Sequence, residues 1–189
     1  VCIAGNHDVT LHTEYYQRSW FRYHMPQKQD ASACRAALAS CTYLEGASCT
    51  IQGDLLVYGS PWTPSFFDWA FNAARGEEIL TKWSQIPANV DVLITHGPPL
   101  GRGDATESGT RHGCQDLLHE VQGRIRPRVH IFGHIHEGYG VSFDGNTLFV
   151  NGSNLNVDYQ PVNPCIVVDV PHDKTKPALV VRPECKVSD

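Results

Sequence analysis

The sequence lacks any apolar run near the roughly 20 residues that a membrane helix needs, which excludes a helical membrane span. It also lacks CxxC spacing. Its seven cysteines are an odd number in a chain large enough to need no staples, so reduced thiols in a cytoplasmic setting are expected in place of a disulfide framework. Basic charge is scarce: 15 Lys and Arg against 20 Asp and Glu leave -5 at pH 7. That balance gives no general attraction to nucleic acid or to an anionic membrane, so a phosphate-bearing partner has to be captured by a local site. Repeats and low-complexity tracts are absent. A charged, apolar leader is missing too, and residue 1 is Val, so the chain is expected to be the remainder of something longer. What is present, a hydrophobic fraction of 41% with mixed charges over 189 residues, implies one globular domain spanning 1–189.

The organising stretch is VHIFGHIHEGYG, Val129 to Gly140. Val129, Ile131 and Phe132 form a short apolar run bounded by Pro127 and by glycines, which reads as a buried strand. His134 and His136 stand at its exit. Residues two apart in an extended chain point to one side, roughly 6.5 Å apart, a spacing that lets each imidazole hold its own ion in a dinuclear site. Gly133 is expected to make the sharp turn. Taken alone, the pair reads equally as two polar residues on a loop.

Two further corners repeat this placement. Val1 to Ala4 is an apolar run that discharges into Gly5, Asn6, His7 and Asp8, where Asn6 or Asp8 could equally cap a following helix. Val90 to Thr95 is a second strongly apolar strand that ends on His96, Gly97, Pro98 and Pro99. Ligand sites in α/β proteins gather at the carboxyl ends of strands. Elsewhere, Thr13 to Tyr23 predicts an aromatic-faced helix and Asp30 the cap of a helix through Ala39. Cys41 to Leu44, Ser48 to Gln52 and Leu55 to Gly59 predict a strand meander. Arg75 to Ile86 predicts a helix with Ile79, Leu80 and Trp83 inward, and Gly113 to Ile125 another. Val141 to Asp144 and Thr147 to Asn151 predict a hairpin, and Ile166 to Val170 with Leu179 to Val181 further strands. In the proline-rich segment from Gly59 to Trp69, Trp62, Phe66 or Phe67 either wall a ligand or pack as core. Arg102 and Arg111 either touch a phosphate or are solvated charges.

With GNHD at Gly5 to Asp8, VLITHGPPLG at Val92 to Gly101 and FGHIHEGYG at Phe132 to Gly140, the chain resembles the calcineurin-like metallophosphoesterase superfamily. GSPW at Gly59 to Trp62 and YQPVNP at Tyr159 to Pro164 place the resemblance in the metallophosphoesterase domain-containing branch, related to class III cyclic nucleotide phosphodiesterases. The resemblance implies an α/β fold, a four-layer αββα sandwich that is truncated at its N-terminus. It implies two divalent metal ions, Mn²⁺ first and Fe or Zn²⁺ as alternatives, with Asn6, His96 and His134 on one and His136 on the other. His7 would stabilise or protonate the leaving oxygen, and Asp8 would orient His7. A water bridging the ions, acidified by them, would attack in line.

The family's first two motifs, Asp-x-His and Gly-Asp, have no counterpart here and are expected before Val1. The expected function is therefore metal-dependent hydrolysis of small phosphodiesters or cyclic nucleotides, with activity requiring those motifs. The rivals are an inactive scaffold or binding protein, and a phosphatase or nuclease of the same superfamily. No nucleic acid or membrane partner is expected, and the sequence is silent on oligomeric state.

Overall fold

The computed structural model describes residues 1–181. The chain runs α1 (Thr13–Ser19), α2 (Ala31–Ala36), β1 (Ala47–Ile51), β2 (Leu55–Ser60), β3 (Thr63–Pro64), β4 (Asn72–Ala73), α3 (Glu77–Trp83), β5 (Val92–Thr95), α4 (Gln115–Glu120), β6 (Val129–Phe132), β7 (Gly140–Phe143), β8 (Leu148–Asn151), β9 (Val168–Asp169) and β10 (Leu179–Val180). A six-stranded sheet in the order β1-β2-β5-β6-β8-β7 forms its centre. The four inner strands are parallel, and β1 and β7 add antiparallel edges. The inner strands are nearly continuous apolar runs because both faces of the sheet are covered.

Alternation along the strands separates those faces. Tyr58, Leu93, Phe132 and Phe149 pack with Ile79 and Trp83 of α3 and Leu117 of α4. Val57, Val92, Val129 and Val150 pack on the opposite face with Ile3, Leu44, Val168 and Val180. The expected α/β class therefore holds. Among the described residues, the second β layer consists of the β9–β10 pair and an isolated parallel bridge between Cys2 and Tyr43. Val1 to Ala4 and Cys41 to Leu44, expected as strands, contribute only that bridge. No helix among the described residues is long and apolar enough to cross a membrane.

Several local expectations are met with shifted boundaries. Tyr15 and Tyr16 are buried by α1, which passes into a 3-10 turn at Trp20–Arg22. The Asp30 carboxylate accepts from Ser32 N–H and Ala33 N–H, capping a helix that stops at Ala36. Ile79 and Trp83 point inward from α3, but Leu80 is 40% exposed, because the helix presents only a narrow stripe to the sheet. The β7–β8 hairpin closes on Asp144, whose carboxylate accepts from Asn146 N–H and Thr147 N–H.

Parallel pairing has one consequence for function. Because β5 and β6 run the same way, the residues that follow Thr95 and Phe132 emerge at the same edge of the sheet. His96 and His134 therefore meet although they lie far apart in sequence.

Candidate metal centre

His96 is held by its backbone on both sides: its N–H donates to Ser60 O at 3.2 Å, and its C=O accepts from Gly133 N–H at 3.0 Å. The imidazole Nε2 donates to Asn6 Oδ1 at 2.8 Å. The rings of His96 and His134 lie 4.7 Å apart between centroids. Asn6 is buried, 5% exposed. The sharp turn expected at Gly133 falls instead on His134, which has φ 71. A left-handed non-glycine residue costs free energy that its surroundings must offset, and such residues concentrate at functional sites. This turn, and not extended-strand geometry, aims His134 toward His96.

His136 begins a 3-10 turn, His136–Gly138. Its Nδ1 lies 2.9 Å from Asn156 O, and a carbonyl only accepts, so Nδ1 carries the proton and Nε2 keeps its lone pair. Backbone orientation of this kind is how metal-binding imidazoles are usually held. His7 is exposed, with its ring 4.4 Å from that of Trp69. Asp8 Oδ2 accepts from Gly5 N–H at 2.7 Å, closing the loop that carries His7. Asn6, His7, His96, His134 and His136 all line one groove of about 1160 Å³. Asp8 lines a second, smaller pocket of about 320 Å³, shared with Asn6, His7 and His96.

The electrostatics favour neutral ligands. Burial, with the neighbouring His134 and His7, pushes the His96 imidazole down to about 3. Burial, with His136, His7 and His112, pushes His134 down to about 4. Both rings are thus uncharged at neutral pH, each with one N–H and one lone pair, the form that can bind a cation.

The spacing of two of the candidate donors suits one ion. An oxygen and a nitrogen donor bound about 2.1 Å from a cation, roughly at right angles, lie about 3 Å from one another. Asn6 Oδ1 and His96 Nε2 are 2.8 Å apart through the hydrogen bond between them, and an ion bound by both would take the place of the Nε2 proton, which would move to Nδ1. Among the described residues, no group of three or more His, Cys, Asp or Glu side chains is placed to hold an ion, so this donor set depends on the Asn6 amide. The acidic side chains of the groove, Asp68 and Glu137, are engaged with Arg22 and with Glu107 N–H.

Other sequence candidates divide between site and scaffold. Phe66 and Phe67 line the groove and are 47% and 78% exposed, whereas Trp62 packs against Phe71 and carries the Lys82 ammonium 3.9 Å over its ring. Arg111 binds the fully buried Asp104, and Arg102 lies over the Phe149 ring, so both arginines are structural. Arg22, Arg75, His112 and Trp69 also line the groove. Charge and ring type alone do not distinguish them from other surface residues.

A family model described as calcineurin-like phosphoesterase matches residues 1–138. The chain belongs to the calcineurin-like phosphoesterase family. It is 45% identical over 179 residues to the human protein named metallophosphoesterase domain-containing protein 1, a match covering 90% of this chain and 55% of that protein. It is 40% identical over 191 residues to UPF0046 protein T07D4.2 of Caenorhabditis elegans, covering 93% and 48%. UPF0046 protein C25E10.12 of the same organism is 37% identical over 177 residues, covering 90% and 61%. The chain thus spans about half the length of these curated relatives. Calcineurin-like phosphoesterases are metal-dependent, with a dinuclear divalent centre.

Proposed function

We propose that the chain carries the site of a metal-dependent phosphodiesterase for small phosphodiesters, cyclic nucleotides foremost. The observation that carries this reading is the meeting of Asn6, His96 and His134 from three distant corners, with His7 and His136, in one groove. Asn6, His96 and His134 hold one divalent ion and His136 the second, with Mn²⁺ preferred. Mn²⁺ accepts such a mixed oxygen and nitrogen set, as do Fe and Zn²⁺. The ions supply Lewis-acid stabilisation of phosphoryl charge.

The protein's own groups do the rest. The exposed His7 imidazole delivers a proton to the leaving oxygen, with its ring supported by Trp69. Asp8 holds the His7 loop through Gly5 N–H. Phe66, Phe67 and Tyr159 offer flat apolar surface beside the ligands, suited to a base or an aryl group on the diester. The acidic net charge favours a small substrate over nucleic acid.

Because His136 is the one candidate ligand for the second ion, full turnover calls for acidic ligands from outside the described residues. The same point favours a second reading, a metal-poor binding scaffold. Metal content and Mn²⁺-dependent hydrolysis of bis(p-nitrophenyl) phosphate separate the two. The chain is expected to hold fewer than two ions and to turn over slowly. A longer version bearing the Asp-x-His and Gly-Asp motifs is expected to be active and to lose activity on His96→Ala. An inactive longer version leaves the scaffold reading standing.

A further inference from the structure

His130 is a histidine in the middle of an apolar strand. It is fully buried, with its ring 5.0 Å from that of Phe132 and 5.9 Å from that of Phe149. An aromatic or aliphatic side chain would suit these neighbours. The register pairs His130 with Leu93, and Thr95 lies two residues on from Leu93, on the same face of the sheet. Across that step, His130 Nε2 and Thr95 Oγ1 are 2.8 Å apart.

The proton count along this chain of atoms is determined. Thr95 has one hydroxyl proton, which it donates to Gly97 O at 2.8 Å. Thr95 Oγ1 must therefore accept from His130 Nε2–H, and Nδ1 is left with a bare lone pair. Nδ1 is indeed a buried nitrogen with no hydrogen-bond partner. A buried, unsatisfied acceptor is a standing cost to the fold. The benefit obtained for that cost is a fixed Thr95 hydroxyl, which ties the backbone on one side of His96 to the backbone on the other.

We propose that His130 is a positioning residue for His96, acting through the Thr95 hydroxyl to hold the 95–97 turn so that the His96 ring keeps its place beside Asn6. The inference rests on the reading of His96 as a metal ligand, but its structural half can be tested without metal. The ring is set by His130 and Thr95 from within the sheet, and by Asn6 and His134 from the groove.

The test uses the purified chain and three variants: His130→Gln, which returns a donor near the Nε2 position, His130→Met, which removes it, and Thr95→Val. The metal-free readout is the NMR signal of the His96 Nε2–H that donates to Asn6, together with Tm. The metal readout is the affinity for Mn²⁺ alone. His130→Met and Thr95→Val are expected to shift or broaden the His96 signal and to weaken Mn²⁺ binding by about 10–100-fold, as other outer-shell losses do. His130→Met is expected to do so without lowering Tm, since it also removes the orphaned nitrogen. His130→Gln is expected to restore both readouts. Unchanged His96 signals in His130→Met and Thr95→Val would overturn the proposal. So would a loss of affinity that merely follows Tm and is shared by His130→Gln. If the parent chain binds no Mn²⁺ while its His96 signal still depends on His130, the metal reading fails and the positioning stands.

Discussion

The imidazole of His96 occupies the space in which a side chain at Gly5 would begin: a Cβ there would lie 2.6 Å from both Cε1 and Nδ1 of the ring. Gly5 is therefore glycine because of an imidazole 91 positions further along the chain, and not for a backbone angle. Gly5→Ala is expected to push the ring away from Asn6 Oδ1. Overpacking of this kind costs about 1–3 kcal/mol of stability. Mn²⁺ affinity should fall with it, measured by calorimetry beside a thermal melt. An alanine variant that binds the ion as the parent does would show the contact to be incidental.

Acid should destabilise the fold over a defined window. Burial holds His96 and His130 down to about 3 and His134 down to about 4, against about 6.5 for a histidine in an unfolded chain. Between those limits the unfolded state binds more protons than the folded state does. Stability is thus fully present above about pH 6.5 and declines as pH falls toward the folded values. Each histidine contributes a slope of about 1.4 kcal/mol per pH unit in that window. Denaturant melts of the metal-free chain from pH 7 to pH 5 should show the decline, and His130→Met should reduce its steepness.

Arg111 and Asp104 are expected to affect stability and not substrate affinity. The Asp104 carboxylate is fully buried, takes one bond from Arg111 at 2.7 Å and another from Gly113 N–H at 3.2 Å, and so ties together the loop before α4. Asp104→Ala leaves that buried N–H without its acceptor and should cost about 1–3 kcal/mol. Arg111→Ala should also destabilise, because it strips the fully buried Asp104 carboxylate of its counter-charge. Neither change in Arg111 nor its charge should alter KM in an active, longer version of the protein. A raised KM for Arg111→Ala would return that arginine to the substrate.

Phe67 and Tyr159 present the opposite case. They are 78% and 67% exposed, with φ 52 and φ 59. Neither exposure nor left-handed backbone helps folding, so Phe67→Gly should leave stability unchanged or raise it by up to about 1 kcal/mol. In the active protein, truncating either ring should raise KM for aryl and base-bearing diesters while sparing a dialkyl diester. Equal effects on both substrate classes would argue against an apolar wall.

Legibility followed the range of the interaction concerned. The buried strands around Val92, Val129 and Leu148, the Asp30 cap and the Asp144 hairpin are visible in the letters because their causes lie within a few residues. So are the polar exits at Asn6, His96 and His134, since a buried strand must end where polar residues begin. The strand expected at Val1 to Ala4 did not extend beyond one bridge, because pairing depends on what lies alongside it. His130 lies within the apolar run VHIF, and a histidine at an inward position of such a strand is a signal that local pattern alone does not interpret.

Type and spacing of residues thus determined that this chain would form an α/β domain and that histidine and asparagine would stand at strand ends. Only the tertiary structure decided which of these ends share a pocket. Parallel pairing of β5 with β6 placed His96 beside His134, the left-handed turn at His134 aimed it, and the bare glycine at position 5 left room for the ring. Convergence of this kind arises from contacts across about 90 and 40 residues of sequence, where local propensity has no influence and packing geometry alone sets distance.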